Sequence, residues 1–328
     1  MQIKKIIEAL MARKRIFLCL AMIGVLVLSV AFPDCAFANG ALNTAFDPNF
    51  GTPQPPNELF PQIPQHVFVS TSIMFAIAVF FMIIAGIDSF KFKSTVPVGM
   101  VLASAFCVVP EVIDNYLGGV YWSQSHVPSD IVFTLLGREF DWYVVVMWWA
   151  FGAILGYLLY AVLLRKVKTR TLWICLGLSA IADIIVEELL LNYGGIYTYF
   201  GNQPMILFSK FPCWWMFANV SALFISVAIA YRFRHWFNGW RTVFLMFLMP
   251  FCYIGGWELC GMPVIFAING AFTPLVTQLL GVFTAIVAII QTGATMYLVL
   301  GRNPFEKGQA AAQSIPMASS NAESTRKY

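Results

Sequence analysis

"HVFVSTSIMFAIAVFFMIIAGI", His66 to Ile87, runs for about 20 residues without a single Asp, Glu, Lys or Arg. That is the length a helix needs to cross the roughly 30 Å hydrocarbon core of a bilayer. A soluble helix would need a charged face for water, and this one has none. The run therefore predicts a membrane-spanning helix. Further spans are expected at Thr95–Asp114, Tyr143–Leu164, Thr171–Leu191, Pro212–Tyr231, Val243–Val264 and Leu275–Leu300, with another apolar run at Ile16–Phe32.

Composition agrees. The 328 residues are 59% hydrophobic and only 11% charged, against about a quarter charged in an ordinary soluble domain. Mean hydropathy is +0.76. The fold class that follows is all-α, a polytopic transmembrane bundle of seven or eight helices. The count depends on residues 1–38. Their basic start, apolar stretch and "AFA" ending suit either a cleaved signal peptide or a first transmembrane helix. Residues 39–65 are rich in Pro, Gly and Asn and read as an extracytoplasmic segment. Residues 66–303 form the helical membrane domain, and 304–328 a polar, disordered cytoplasmic tail.

Charge gives an orientation. With the N-terminus inside, 18 of the 20 Lys and Arg residues fall on the cytoplasmic side, and only Arg138 and Lys210 lie outside. This places the protein as a multi-pass component of a cell membrane of the bacterial inner-membrane type, its C-terminus cytoplasmic and the lipid bilayer its surroundings. The net charge of +4 reflects that topology. No basic groove with interleaved aromatics exists, so nucleic acid is not an expected partner. Nothing in the sequence speaks to oligomeric state.

The acids raise the functional question. Of 16, only Glu8, Asp88, Glu306 and Glu323 fall on the inner side. Acids contribute little to orientation, so those within helices need another reason. Asp183 and Glu187 are four apart and share a helix face, with Glu188 rotated about 100° from them. Glu111 and Asp114, three apart, share a face of an earlier helix, and Glu258 lies in a later one. A carboxyl at such depth costs a few kcal/mol unless it is protonated, paired or facing water. No Lys or Arg lies in the outer halves of these helices to neutralise it. Carboxyls gathered in one poorly solvated cavity cannot all carry charge, and an acid beside a carboxylate is a general acid/base pair. Asp183, Glu187, Glu111, Glu258, Asp114 and Glu188 are the candidate catalytic residues. The other possibility is that Glu188, Asp114 and Glu187 simply reach headgroup water.

Rings crowd the same level. Tyr121, Tyr193, Tyr197 and Trp257 are candidate substrate-binding residues if they turn inward, and ordinary interface aromatics if they do not. Arg138 either orients a substrate or pairs with Glu139 or Asp141. Other chemistries are disfavoured. Three scattered histidines make no metal site, the outer face is too poor in cations for a diphosphate, and no lysine in a later helix could carry a retinal. No metal or other cofactor is expected. Cys213 and Cys260, both near the outer face, could form a disulfide.

Two stretches echo each other. "EVIDNYLGGVYW" from Glu111 and "EELLLNYGGIYTY" around Glu188 both read Glu, three residues, Asn-Tyr, then Gly-Gly, a β-branched residue and Tyr. "YIGGWE", Tyr253–Glu258, repeats the glycine and aromatic part. Together "PEVIDNYLGGVYW", "FTLLGREFDWYVVVMWWAFGA" and "DIIVEELLLNYGGIYTYFGNQPM" resemble the spirocyclase AveC-like family of integral membrane proteins. The likeness covers Pro110 to Met205, and Asp141 stands where the family pattern usually has proline. It implies a membrane cyclase or dehydratase that closes oxygen rings in a polyketide. The site residues above rest on their own chemistry and not on that likeness. Terpenoid cyclases, which protonate an apolar substrate with a buried acid, would use the same equipment. The alternative is a proton-coupled transporter or a lipid-binding membrane protein, whose buried acids relay protons or hold a cation.

Overall fold

The computed structural model describes residues 62–306; the first apolar run, most of the segment 39–65 and most of the tail lie outside them. Helix α1 spans Pro64–Phe92, opening with proline at its first turn, where the missing N–H costs nothing. It ends at Lys93, whose left-handed backbone caps it. Helices α2 (Val96–Ser104) and α3 (Val108–Gly118) form one rod joined by a 3₁₀ turn, Ala105–Cys107. Pro110 explains that turn. It has no N–H to give the carbonyl four residues back, so the chain tightens locally.

Helices α4 (Trp142–Gly152) and α5 (Leu158–Leu164) make the next rod around a π turn at Ala153–Tyr157. Then come α6 (Thr169–Leu189), α7 (Trp214–Arg232), α8 (Leu245–Asn269, preceded by a 3₁₀ turn Gly239–Phe244) and α9 (Pro274–Leu298). These are the seven spans expected between His66 and Leu300. Six of the rods are long and apolar enough to cross a membrane. The seventh, α6, carries Asp183, Glu187 and Glu188.

Helix α8 is the axis of the bundle, packing on α7, α9, α3 and α2. Gly256 permits a close approach to α7, since a Cβ there would meet the Ile225 side chain at 2.8 Å and the Ala222 backbone at 3.0 Å. Helix α1 lies at the rim against α2 and α4 and turns Phe68, Ile73, Phe80, Ile83 and Ile87 outward, a face that needs lipid rather than water. At the basic end, Asp88 is buried and held by Arg165 through two bonds of 2.9 and 3.1 Å, with the Tyr157 hydroxyl donating at 2.8 Å.

The opposite end carries what an all-helical reading omits. Strand β1 (Val120–Trp122) pairs antiparallel with β4 (Tyr197–Tyr199), and β2 (Ile131–Leu135) pairs with β3 (Arg138–Asp141). The echoed motifs account for the first ribbon. In each, a glycine at positive φ (Gly119 at 67°, Gly195 at 57°) stops the helix and turns the chain into β-branched and aromatic residues. The third fragment, Tyr253–Glu258, stays helical inside α8. Cys213 and Cys260 are both free thiols, so the disulfide does not form.

Candidate functional site

The β1–β4 register sets Trp122 opposite Tyr197, their rings 4.5 Å apart. Each reaches back to a carboxyl on the helix that leads into its strand. Trp122 Nε1 donates to Glu111 Oε1 at 2.8 Å, and Tyr197 Oη donates to Glu187 Oε2 at 2.5 Å. Tyr199 adds a second phenol to the same Glu187 oxygen at 3.1 Å, and Asn115 Nδ2 a second donor to Glu111 at 2.9 Å. Two helices and one ribbon thus bring Glu111 and Glu187 to one small space between them. The Glu-to-ring spacing is 11 residues in one copy and 10 in the other.

Between them lies a cavity of about 30 Å³, room for a water molecule or two. Glu111, Glu187, Tyr197, Tyr199, Asn219 and Tyr253 supply its polar atoms, and Trp122, Trp148 and Trp215 much of its apolar wall. No Lys or Arg lines it. Glu111 is 3% and Glu187 6% exposed, so both belong to the interior and not to headgroup water. Glu111 Oε2 has no hydrogen-bond partner among the described residues.

Asp183 sits one turn deeper on α6 and is 1% exposed; Asn219 Nδ2 of α7 donates to it at 3.3 Å. The Tyr253 hydroxyl of α8 donates to the other side of that amide at 3.2 Å. Carboxyl, amide and phenol therefore form a hydrogen-bonded relay that starts at Asp183 behind the cavity and reaches its wall at Asn219 and Tyr253. Burial, with the Glu187 carboxyl adding to it, pushes the Tyr197 and Tyr199 phenols well above the ordinary tyrosine value. Both consequently stay protonated, and act as donors, throughout the range near neutral pH.

The remaining candidates fall elsewhere. Asp114 is fully buried on α3, and neither of its oxygens is in hydrogen-bond geometry with a partner among the described residues. It lies outside the cavity lining but close to Glu111 and Tyr253, which are part of it. Glu258 is partly exposed and is not brought to the cavity, because Tyr253 and Trp257 occupy the inward face of α8 and Glu258 is turned from both. Glu188, turned about 100° from Glu187, accepts from the backbone N–H groups of Ser209, Lys210 and Phe211 and from Asn192. It ties down the loop after β4. Glu188→Ala is expected to lower thermal stability by about 1–3 kcal/mol, read as a falling melting temperature in detergent, with the chemistry of the cavity unchanged.

Tyr193 is 77% exposed, so it fits an interface ring and not a cavity wall. Tyr121 alternates with Val120 and Trp122 along β1 and so points away from the cavity, towards Arg138. Arg138 is itself buried, stacked 4.2 Å over Tyr116 and donating to the Val120 carbonyl at 2.9 Å. It braces the ribbon from above. Glu139 meets His126, and Asp141 accepts from Gln62 and the Ser125 N–H. Trp257 is buried against Trp214 and Trp215, one ring behind the cavity wall.

Asn219, Tyr253, Tyr199 and Trp122 are site residues that the ranking of acids passed over. Asn219 carried a signal, since a lone amide in the apolar run of α7 needs a partner in lipid. Among the described residues no group of three or more His, Cys, Asp or Glu is arranged to hold a metal ion. No family model matches the chain, and no curated protein or solved structure matches it either.

Proposed function

We propose that this protein is a membrane cyclase or dehydratase that works by carboxyl acid/base chemistry on an apolar, polyketide- or isoprenoid-type substrate. The observation that carries this reading is the convergence of Glu111 and Glu187, from two helices, on one cation-free aromatic cavity. Each carboxyl is held on one oxygen by two donors, Tyr197 and Tyr199 on Glu187 and Trp122 and Asn115 on Glu111. The buried Glu111 Oε2, left free to carry a proton, makes Glu111 the acid in this reading and Glu187 the base.

In ring closure, Glu111 gives its proton to a departing hydroxyl, which leaves as water. The cation left behind faces the rings of Trp122, Trp148 and Trp215. A second substrate hydroxyl attacks, and Glu187 takes its proton. Spiroketal formation, which the likeness to the AveC-like family suggests, is this sequence applied to the hemiketal of a dihydroxyketone, in which one hydroxyl has already added to the carbonyl. The 30 Å³ cavity accepts the released water; a substrate needs the three-residue strands of the ribbon to lift from the helices. We place the ribbon end outside, with the basic end and the C-terminus in the cytoplasm of a cell membrane, on the distribution of Lys and Arg.

The test is an untargeted metabolite comparison between cells expressing wild type, Glu111→Gln and Asp183→Asn at matched protein levels. Accumulation of an uncyclised or hydrated precursor in Glu111→Gln is expected, with a smaller effect from Asp183→Asn, which acts through the relay. Unchanged metabolites would end the proposal. Proton-coupled transport is the second reading, favoured by the small cavity and the Asp183–Asn219–Tyr253 relay beneath it. Proton flux into liposomes holding wild type but not Glu187→Gln would select it.

A further inference from the structure

A second recess lies beside the ribbon, between the first turns of α1 and the start of α4. It measures about 530 Å³, within the range of small-molecule sites, and opens to the side of the bundle. Val67, Phe68 and Phe75 give it an apolar floor, while Thr71, Asp130 and Asp141 mark its polar edge. The edge is unfinished. Asp141 is 3% exposed; its Oδ2 accepts from Gln62 Nε2 at 2.9 Å and the Ser125 N–H at 3.0 Å, yet its buried Oδ1 has no partner among the described residues. The Thr71 hydroxyl is buried and lacks one as well. Buried polar atoms of this kind ordinarily meet a partner.

We infer that this groove binds a single apolar chain ending in a hydroxyl, the hydroxyl donating to Asp141 Oδ1 and the chain lying along Phe68 and Phe75. Charge excludes one class of head. The lining holds two carboxyl groups and no Lys or Arg, so an anionic head is rejected. The back wall is Tyr143, whose hydroxyl donates to the Ser123 carbonyl at 2.7 Å, with the Ile196 carbonyl also 3.0 Å away, and whose ring is 6.1 Å from Trp122. Two rings, Tyr143 and Trp122, therefore separate the groove from the Glu111–Glu187 cavity. Resting on the acid/base reading, the groove is where a hydroxylated substrate waits; the binding itself does not depend on that reading.

The test uses the full chain in nanodiscs and a long-chain primary alcohol bearing a photoactivatable diazirine, with labelled peptides mapped after irradiation. Labelling is expected to concentrate on residues 67–75 and 141–143. 1-Dodecanol should compete at least tenfold better than dodecanoate or dodecane. Asp141→Asn, which puts a donor where Oδ1 accepts, should weaken labelling about tenfold. Thr71→Val should weaken it less, and Glu187→Gln should leave it intact. Retained labelling in a Glu187→Gln protein with unchanged metabolites would sustain the groove while removing the cyclase. Even labelling of all lipid-facing helices, equal competition by dodecanoate, or crosslinking of residues 39–61 into the groove in place of the probe would overturn the inference.

Discussion

Glu187→Gln is expected to lower product formation by about 10²–10⁴-fold, the range that a positioned acid or base contributes. Glutamine keeps the volume of the side chain and an oxygen that can accept from Tyr197 and Tyr199, so the ribbon has no reason to leave its helices. What it loses is the ability to take up a proton. The melting temperature should therefore stay within a few degrees of wild type while turnover collapses, a split that misfolding cannot imitate. Tyr197→Phe removes one of the two phenol donors and should cost about tenfold, since hydrogen bonds to a charged group are worth roughly 1.5–3 kcal/mol and Tyr199 remains. Because burial raises both phenols, no loss of activity from their ionisation should appear as pH rises from 7 to 9. Product levels from extracted membranes, compared by mass spectrometry, decide it. Equal turnover in wild type and Glu187→Gln would leave this carboxyl a structural anchor for the ribbon.

Arg165→Met should destabilise the protein by about 3 kcal/mol, seen as a lower thermal midpoint in detergent. Asp88 is 2% exposed and its two oxygens meet Arg165 and Tyr157, so removing the guanidinium strands a carboxyl in an apolar interior. Breaking a buried pair costs roughly 3–5 kcal/mol, and the low end applies because the Arg165 side chain is 45% exposed. The double variant Asp88→Leu with Arg165→Met should recover most of the loss, because it leaves no charge behind. A double variant as unstable as Arg165→Met alone would show that packing around the π turn Ala153–Tyr157, and not the stranded charge, sets the cost.

The two substitutions test different ends of the molecule, and the ends were legible to different degrees. Span positions could be read directly, since a run such as His66–Ile87 has no stable place outside lipid and its length matches the membrane. The acids on α6 also announced themselves: buried Asp183 and Glu187 four apart can only share a face. Helical phase separated Glu187 from Glu188 in principle. It could not say which of them faces inward, because the residues that flank the pair, Val186 and Leu189, are equally apolar.

The tertiary structure decided the partners. Glu111 and Glu187 are 76 positions apart in the chain, and no local rule makes them neighbours. The ribbon does, and it depends on backbone pairing between two three-residue strands that isolated propensity would never sustain. The same pairing gives Trp122 and Tyr197 their carboxyls and sends Tyr121 the other way, to Arg138. Glu258 shows the converse: an acid within its span like the others, it is turned from the cavity by the rotation of α8. From sequence alone came a membrane bundle of seven or eight helices with costly acids near one end, because hydrophobic length and charge are local properties. Which acids meet, and under which rings, is a matter of rotation and cross-strand register, which arise only when the helices pack.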